Sequence, residues 1–155
     1  LFEAFGQRVS WRLDVTGWYF AVLTLGSALA VTWFSAGAWG RDYAAKGGNL
    51  WLLHAAVALN VFTMLLLLGS GDLLSLFIGW ELVSWASLLL MACGGGETVR
   101  YALRYMTYAL AGAMAVFAAL AIAFHAAGSL QFVDLAAAVP TMGVSNLWAL
   151  VLLTL

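Results

Sequence analysis

Long apolar runs separated by short polar turns make up most of this 155-residue chain. A helix needs about 20 apolar residues to cross the hydrocarbon core of a membrane. Four runs meet that length and a fifth begins near the end, and they cover about 15–40, 50–70, 72–92, 99–125 and 145 onwards. None of them alternates with the period of two that is typical of a membrane β-strand. The pattern therefore predicts an all-α, polytopic transmembrane helix bundle, with residues 1–155 forming a single membrane domain.

One segment between the runs has a different character. Residues 129–139 mix apolar side chains with Gln131 and Asp134, and Pro140 follows directly. This mixture favours a short amphipathic helix that lies in the membrane interface, before the last span begins.

Composition agrees with the pattern and excludes several classes of protein. Hydrophobic residues make up 65% of the chain and charged residues only 8%, whereas a soluble domain carries about 25% charged residues. The net charge is −1, without a basic run, so binding of nucleic acid has no electrostatic basis. The single cysteine, Cys93, excludes an internal disulfide and a cysteine-based metal site.

Motifs for cofactor chemistry are absent from the sequence. It contains no phosphate-binding loop, no dinucleotide glycine pattern and no His-Glu-x-x-His motif, and it lacks the usual ligands of haem or iron–sulfur clusters. We therefore predict no cofactor, no metal ion, and no redox or hydrolytic site in this segment.

Basic residues in the loops indicate an orientation. Arg8 and Arg12 precede the first span, whereas four basic residues fall on the opposite side, at Arg41, Lys46, Arg100 and Arg104. Cytoplasmic loops carry an excess of Lys and Arg. The distribution predicts that the second side is cytoplasmic and that the N-terminal end begins outside.

Glu81 is the candidate functional residue, because it lies in the middle of the third run. A charge at that depth costs about 2.5 to 3.5 kcal/mol on insertion scales. Burial favours the neutral form of a carboxylic acid and a nearby cation favours the charged form, so a group held between these influences can take up and release a proton. We predict that Glu81 is a proton-translocating carboxylate.

Five other polar residues are candidates for a supporting role. Ser84 lies one turn from Glu81 and can hydrogen-bond the carboxylate or hold a water beside it. The histidines can join a proton relay, although an interfacial or hydrogen-bonded role is the favoured interpretation of each. Asn60 can bond across helices, and Arg104 can pair with an acid. This supporting set is Ser84, His54, Asn60, Arg104 and His125.

The Glu81 span also resembles a known membrane family. The stretch Gly71-Asp72-Leu73-Leu74, followed by Phe77 and Trp80-Glu81, is similar to the fifth helix of the antiporter-like subunits of respiratory complex I, Mrp-type cation/proton antiporters and membrane-bound hydrogenases. Those subunits usually have Asn after the aspartate, where this chain has Leu73. The stretches 13–18, 102–106 and 128–131 resemble the third helix, the sixth helix and the loop after it.

The resemblance implies a larger fold and a mechanism. A full subunit of this family has about fourteen helices in two inverted repeats. Glu81 would pair with a lysine on the family's seventh helix. Only the start of that helix is expected in this chain, from about residue 145, so the lysine would lie beyond it. The partners implied are sister antiporter-like membrane subunits, the lipid bilayer, and protons or sodium ions. We expect an integral protein of the bacterial cytoplasmic membrane, in an NADH-quinone oxidoreductase-like, Mrp-type or hydrogenase complex.

Two other functions remain open from the sequence. In a structural, non-transporting membrane subunit, Glu81 would be locked in a static pair. An intramembrane enzyme would need a second catalytic group that faces Glu81, and neither Asp72 nor His54 lies at its depth in the predicted spans.

Overall fold

The computed structural model describes residues 2–4 and 7–154. Over these residues the chain forms helices α1 (Val15–Ser35), α2 (Ala38–Ala45), α3 (Leu50–Leu68), α4 (Leu73–Ala92), α5 (Gly96–Ala127), α6 (Phe132–Ala138) and α7 (Val144–Thr154). A 3-10 turn, Val139–Thr141, follows α6. Four helices, α1, α3, α4 and α5, are long and apolar enough to cross a membrane. The prediction of an all-α membrane bundle is confirmed.

A short β-hairpin precedes the bundle. Strand β1 (Phe2–Ala4) pairs antiparallel with β2 (Gln7–Val9), and Phe2 stands opposite Val9. Isolated two-stranded hairpins are marginally stable in water. Hydrogen bonds from Ser10 and Arg12 join the segment after β2 to the turn between α3 and α4.

The first membrane helix ends earlier than the apolar run suggests. It stops at Ser35, and α2 begins at Ala38 after Gly37. The apolar run continues to Trp39 and Gly40, but α2 also holds Arg41 and Asp42, which belong at a polar surface. Gly40 approaches the Ser35 carbonyl so closely that a side chain at Gly40 would overlap it. The chain therefore turns at Gly37 and lays a separate helix against the end of α1.

The helices pack in a simple order. The most extensive contact joins α3 and α4, α1 packs on α3, and α5 packs on α4. The helices α6 and α7 both contact α5. Because short turns join α3 to α4 and α4 to α5, these neighbours run in opposite directions. The starts of α1 and α4 and the ends of α3 and α5 thus lie at one end of the bundle, which we call the N-terminal side.

Close contact between α3 and α4 depends on Gly79. A Cβ atom at Gly79 would lie 2.8 Å from the Leu67 Cα, which is shorter than any relaxed carbon–carbon contact. Small residues allow membrane helices to approach in this way. Gly79 therefore fixes both the separation of the two helices and the rotation of α4.

Candidate functional site around Glu81

Glu81 is the ninth residue of α4. With a rise of 1.5 Å per residue, it lies about 12 Å along the axis from the start of the helix. Phe77, one turn earlier on the same face, packs against Phe117 of α5 with ring centroids 5.9 Å apart. Residues four apart lie on one face of a helix, so Glu81 lies beside the contact between α4 and α5.

The carboxylate stands at the edge of that contact. The side chain of Glu81 is half-buried, and it makes no hydrogen bond or ion pair with any other residue that the structure describes. The next positions round the helix, Ile78, Leu82 and Trp85, are exposed. One side of Glu81 therefore faces the α5 contact, and the other borders an apolar surface of α4 that no described helix covers.

Ser84 does not support the carboxylate directly. Its side chain is buried, with 4% of its surface exposed, and its hydroxyl donates to the Trp80 carbonyl at 3.1 Å. A serine hydroxyl in a helix can satisfy itself in this way by bonding one turn back. The hydrogen bond to Glu81 that the sequence suggested is thus replaced by a bond within the helix.

Asn60 forms the cross-helix hydrogen bond that its position in α3 favours. Its Nδ2 donates to the Ser87 Oγ of α4 at 3.1 Å. Ser87 is three residues beyond Ser84, which is three beyond Glu81, so these side chains follow one oblique row on α4. The Asn60–Ser87 bond therefore joins α4 to α3 at the end of this row that is farther from Glu81.

Replacing Asn60 by alanine is expected to weaken the α3–α4 contact by roughly 0.6 kcal/mol, the average for such bonds between membrane helices. The thermal midpoint of the purified full-length complex should fall slightly, and proton flux should stay close to that of the wild type. Ser27→Ala is a matched control, because its hydroxyl donates only to the Leu23 carbonyl of its own helix. Equal midpoints for the two variants would contradict a role for the Asn60 bond.

His54 binds the end of the first helix and lies far from Glu81 along the membrane axis. Its Nε2 lies 2.8 Å from the Oγ of Ser35, and that hydroxyl also donates to the Thr32 carbonyl at 3.0 Å. The tautomer of His54 sets which of the two groups donates in this hydrogen bond. His54 thus joins α3 to α1 at the side opposite the N-terminal side. Ser35 could not be predicted as the partner of His54, since the residues at a helix end do not indicate what packs on it.

A groove of about 670 Å³ lies between α1 and α3 and reaches Asn60 and Ser35. Most of its lining is apolar, with Phe20, Val31 and Met64 as examples. The remaining hydroxyls, on Thr24 and Ser27, donate to carbonyls of their own helix. The groove therefore presents few free polar groups and does not reach Glu81.

Arg104 and His125 are not brought to Glu81. Both are exposed on α5, and neither forms an ion pair within the described part of the chain. Ion pairs there join Lys46 to Asp42 at 2.7 Å and Arg100 to Glu97 at 3.1 Å, and all four side chains are exposed. Lys46 is the single lysine of the sequence, and it is already paired at the end of α2.

Asp72 and Tyr43 hold the two ends of α4, and neither of them was predicted from the sequence to have this role. Asp72 precedes the helix and is fully buried, with 0% of its surface exposed. At the other end, the Tyr43 hydroxyl of α2 donates to the Cys93 carbonyl at 2.6 Å. Burial raises the pKa of the Cys93 thiol, which keeps it protonated and unreactive. The spacing Asp72-x-x-Ser75 resembles a capping box, and it was the one local signal for this role.

Metal binding finds no support in the described ranges, 2–4 and 7–154, where no three His, Cys, Asp or Glu side chains cluster closely enough to hold an ion. No second titratable group forms a hydrogen bond or an ion pair with Glu81 in the same ranges. Glu81 is a single carboxylate that can carry or release a proton.

Comparison with known proteins gives two matches. Residues 70–155 match the family described as NADH:quinone oxidoreductase/Mrp antiporter, TM (transmembrane). Over 94% of its length, the chain is 31% identical to NADH-quinone oxidoreductase subunit N of Moorella thermoacetica. It covers 32% of that relative, so it spans about a third of the relative's length. No solved structure matches the chain significantly.

Proposed function

The chain belongs to the NADH:quinone oxidoreductase/Mrp antiporter membrane family, and on that premise we propose that it is a proton-translocating part of an antiporter-like subunit in a multisubunit complex. The observation that carries this proposal is Glu81, an acid in the middle of an apolar membrane helix. Ionisable residues in membrane spans are costly, and they mark ion pathways and proton relays.

In the function that we propose, Glu81 has a cationic partner beyond the described residues. Within the described residues the carboxylate has no cation, and it borders the exposed surface of Ile78, Leu82 and Trp85. We propose that a lysine on the seventh helix of the family's fold approaches Glu81 from this surface. That lysine would lie beyond Leu155. The resemblance to antiporter-like subunits implies the lysine, and the open side of α4 supports the direction of approach.

Proton transfer follows from the electrostatics of such a pair. When the lysine ammonium is near, it stabilises the carboxylate of Glu81 and the proton leaves. When the ammonium moves away, the half-buried carboxylate loses its counter-charge and takes up a proton. Motion of one lysine thus alternates Glu81 between its charged and neutral forms, and access from opposite sides of the membrane in the two states gives net transport.

We propose that the complex is of the complex I-like type. The Moorella relative is named as a subunit of NADH-quinone oxidoreductase, which favours a complex I-like assembly in a bacterial cytoplasmic membrane over an Mrp-type antiporter. Sister antiporter-like subunits would then be its neighbours, and electron transfer would occur elsewhere in the complex. Co-purification of the full-length protein with a quinone-reducing arm tests this assignment, whereas recovery with antiporter subunits alone would favour the Mrp type.

The experiment that tests the function is proton uptake by proteoliposomes that contain the full-length protein in its complex. Quinone reduction by NADH should drive acidification of the lumen, and a protonophore should abolish it. The alternative is a non-transporting structural subunit. In such a subunit the carboxylate of Glu81 would be held in a static pair. Uptake that does not depend on Glu81 would favour that alternative.

A further inference from the structure

We propose that Asp72 is a positioning residue of the proton site, because its carboxylate fixes the start of the Glu81 helix to the Ser10 segment, which is distant in sequence. Its Oδ1 accepts a hydrogen bond from the Ser75 backbone N–H at 2.8 Å. Its Oδ2 accepts from the Ser10 backbone N–H at 2.7 Å and from the Ser10 Oγ at 3.2 Å. The inference rests on the proposed function only in that Glu81 is taken as the group that carries the proton.

Backbone bonds extend this arrangement on both sides of Asp72. Towards the N-terminus, Gly71 donates to the Ser10 carbonyl at 2.8 Å and Arg12 donates to the Gly69 carbonyl at 2.6 Å. Towards the C-terminus, Leu73 donates to the Leu130 carbonyl at 3.0 Å. The segment after the hairpin and the α5–α6 loop therefore both meet the chain at the start of α4, the first at the Asp72 carboxylate and the second at the Leu73 backbone. We call this group, made of Ser10, Asp72, Ser75 and Leu130, the Asp72 junction.

A carboxylate suits this junction better than any neutral side chain. Asp72 is fully buried, and burying a charge is costly unless hydrogen bonds replace its hydration. Here three donors point at its two oxygens, and the positive end of the α4 dipole adds to them. An asparagine would accept at one oxygen only and would turn an N–H group towards existing donors. The buried carboxylate needs all three donors in place, so Asp72 favours the one arrangement of the chain that supplies them.

The junction acts on Glu81 through a rigid helix. Glu81 is nine positions after Asp72, about 13 Å along α4. The opposite end of α4 is held by the bond from Tyr43 to the Cys93 carbonyl, and Gly79 fixes the rotation against α3. Release of the Asp72 end would let α4 shift or turn, and the carboxylate would move relative to its partner. Misplacement of a reacting group by about 1 Å can cost about 100-fold in rate.

The chain offers a matched control for a test of this inference. Asp14 also caps a membrane helix on the N-terminal side, and its Oδ1 accepts from the Gly17 N–H at 2.6 Å. Unlike Asp72 it is exposed, and its side chain bonds only within its own helix. Asp14→Asn and Asp72→Asn therefore change the same chemistry at two helix caps, but only the second changes the junction.

The test uses the full-length protein in its complex and two readouts. The first is disulfide formation between Trp11→Cys and Ser70→Cys, which are opposed in an antiparallel bridge, with the other cysteines replaced. The second is proton uptake and its pH profile. We expect Asp72→Asn to lower the disulfide yield several-fold and uptake by on the order of tenfold, with a changed pH profile. Asp14→Asn should stay within about twofold of the wild type in both.

Several outcomes would overturn the inference. Unchanged disulfide yield in Asp72→Asn would mean that the junction does not depend on the carboxylate. A lost disulfide with unchanged uptake and pH profile would leave Asp72 a structural cap that does not position Glu81. If Asp72→Asn does not assemble, Ser10→Ala replaces it, because it removes one donor and keeps the charge; we expect a roughly twofold loss in both readouts, and no loss would overturn the inference.

The failure of this inference differs from the failure of the proposed function. Glu81→Gln, measured in the same vesicles, reports on the function alone. Uptake that responds to Glu81→Gln and not to Asp72→Asn would refute the positioning role. Uptake that does not respond to Glu81→Gln would refute the function, whatever the state of the junction.

Discussion

Replacement of Glu81 by glutamine is expected to abolish most proton translocation while the complex still assembles. Glutamine has nearly the same shape as glutamic acid but cannot gain or lose a proton at neutral pH. Because Glu81 makes no hydrogen bond or ion pair within the described residues, the amide breaks no contact seen in this bundle. We expect proton uptake to fall by about 100-fold, which is within the range in which positioned proton-transfer groups act.

The measurement is the initial rate of lumen acidification per assembled complex, with quinone reduction as the driving reaction. Glu97→Gln is the matched control, because Glu97 is exposed and its pair with Arg100 lies at the surface, where such pairs contribute little. Assembly is compared by size-exclusion chromatography. Wild-type uptake in an assembled Glu81→Gln complex would show that Glu81 is structural, and would leave the chain a membrane scaffold.

The second large effect is expected at Gly79, where alanine should destabilise the bundle and also impair transport. The added Cβ would lie 2.8 Å from the Leu67 Cα and 3.1 Å from the Leu67 N, both backbone atoms that cannot rotate away. The helices α3 and α4 must then separate or slide, and overpacking of this kind costs about 1–3 kcal/mol. Glu81 is two residues further along, so the same displacement moves the carboxylate.

Thermal unfolding of the purified complex and proton uptake by vesicles measure the two parts of this prediction. Gly26→Ala and Gly112→Ala are controls in α1 and α5, since a Cβ at either position meets nothing within 4 Å. Those variants should match the wild type, because alanine is a better helix former than glycine. A Gly79→Ala complex as stable as these controls would show that the α3–α4 contact relaxes without cost.

Parts of the site could be predicted from the sequence, because the membrane makes polar and charged side chains costly within its apolar interior. Glu81 stood out because a charge within a long apolar run is costly wherever the neighbouring helices lie. The same argument selected Asn60, whose bond to Ser87 the structure shows. It also selected Arg104 and His125, which are exposed on α5, and it gave Ser84 a contact with Glu81 that its bond to Trp80 replaces.

The positions of most helices also follow from the sequence. The lengths of the apolar runs predicted α3 and α4 to within a few residues, because the thickness of the membrane sets the number of residues per span. The end of α1 was harder to predict. Its apolar run continues to Gly40, but the helix stops at Ser35 where α2 folds back, and apolarity alone does not indicate a turn at Gly37.

By itself, the sequence determined the class of the protein, its approximate spans and its one mid-membrane acid, because each depends on local composition and on the cost of burying charge in lipid. The tertiary structure alone decided which side of Glu81 is open, how closely Gly79 approaches Leu67, and that Asp72 joins Ser10 to the start of α4. The Ser10–Asp72 bonds link residues 62 positions apart. Such contacts depend on how helices pack, and no periodicity or local motif along one helix specifies its neighbour.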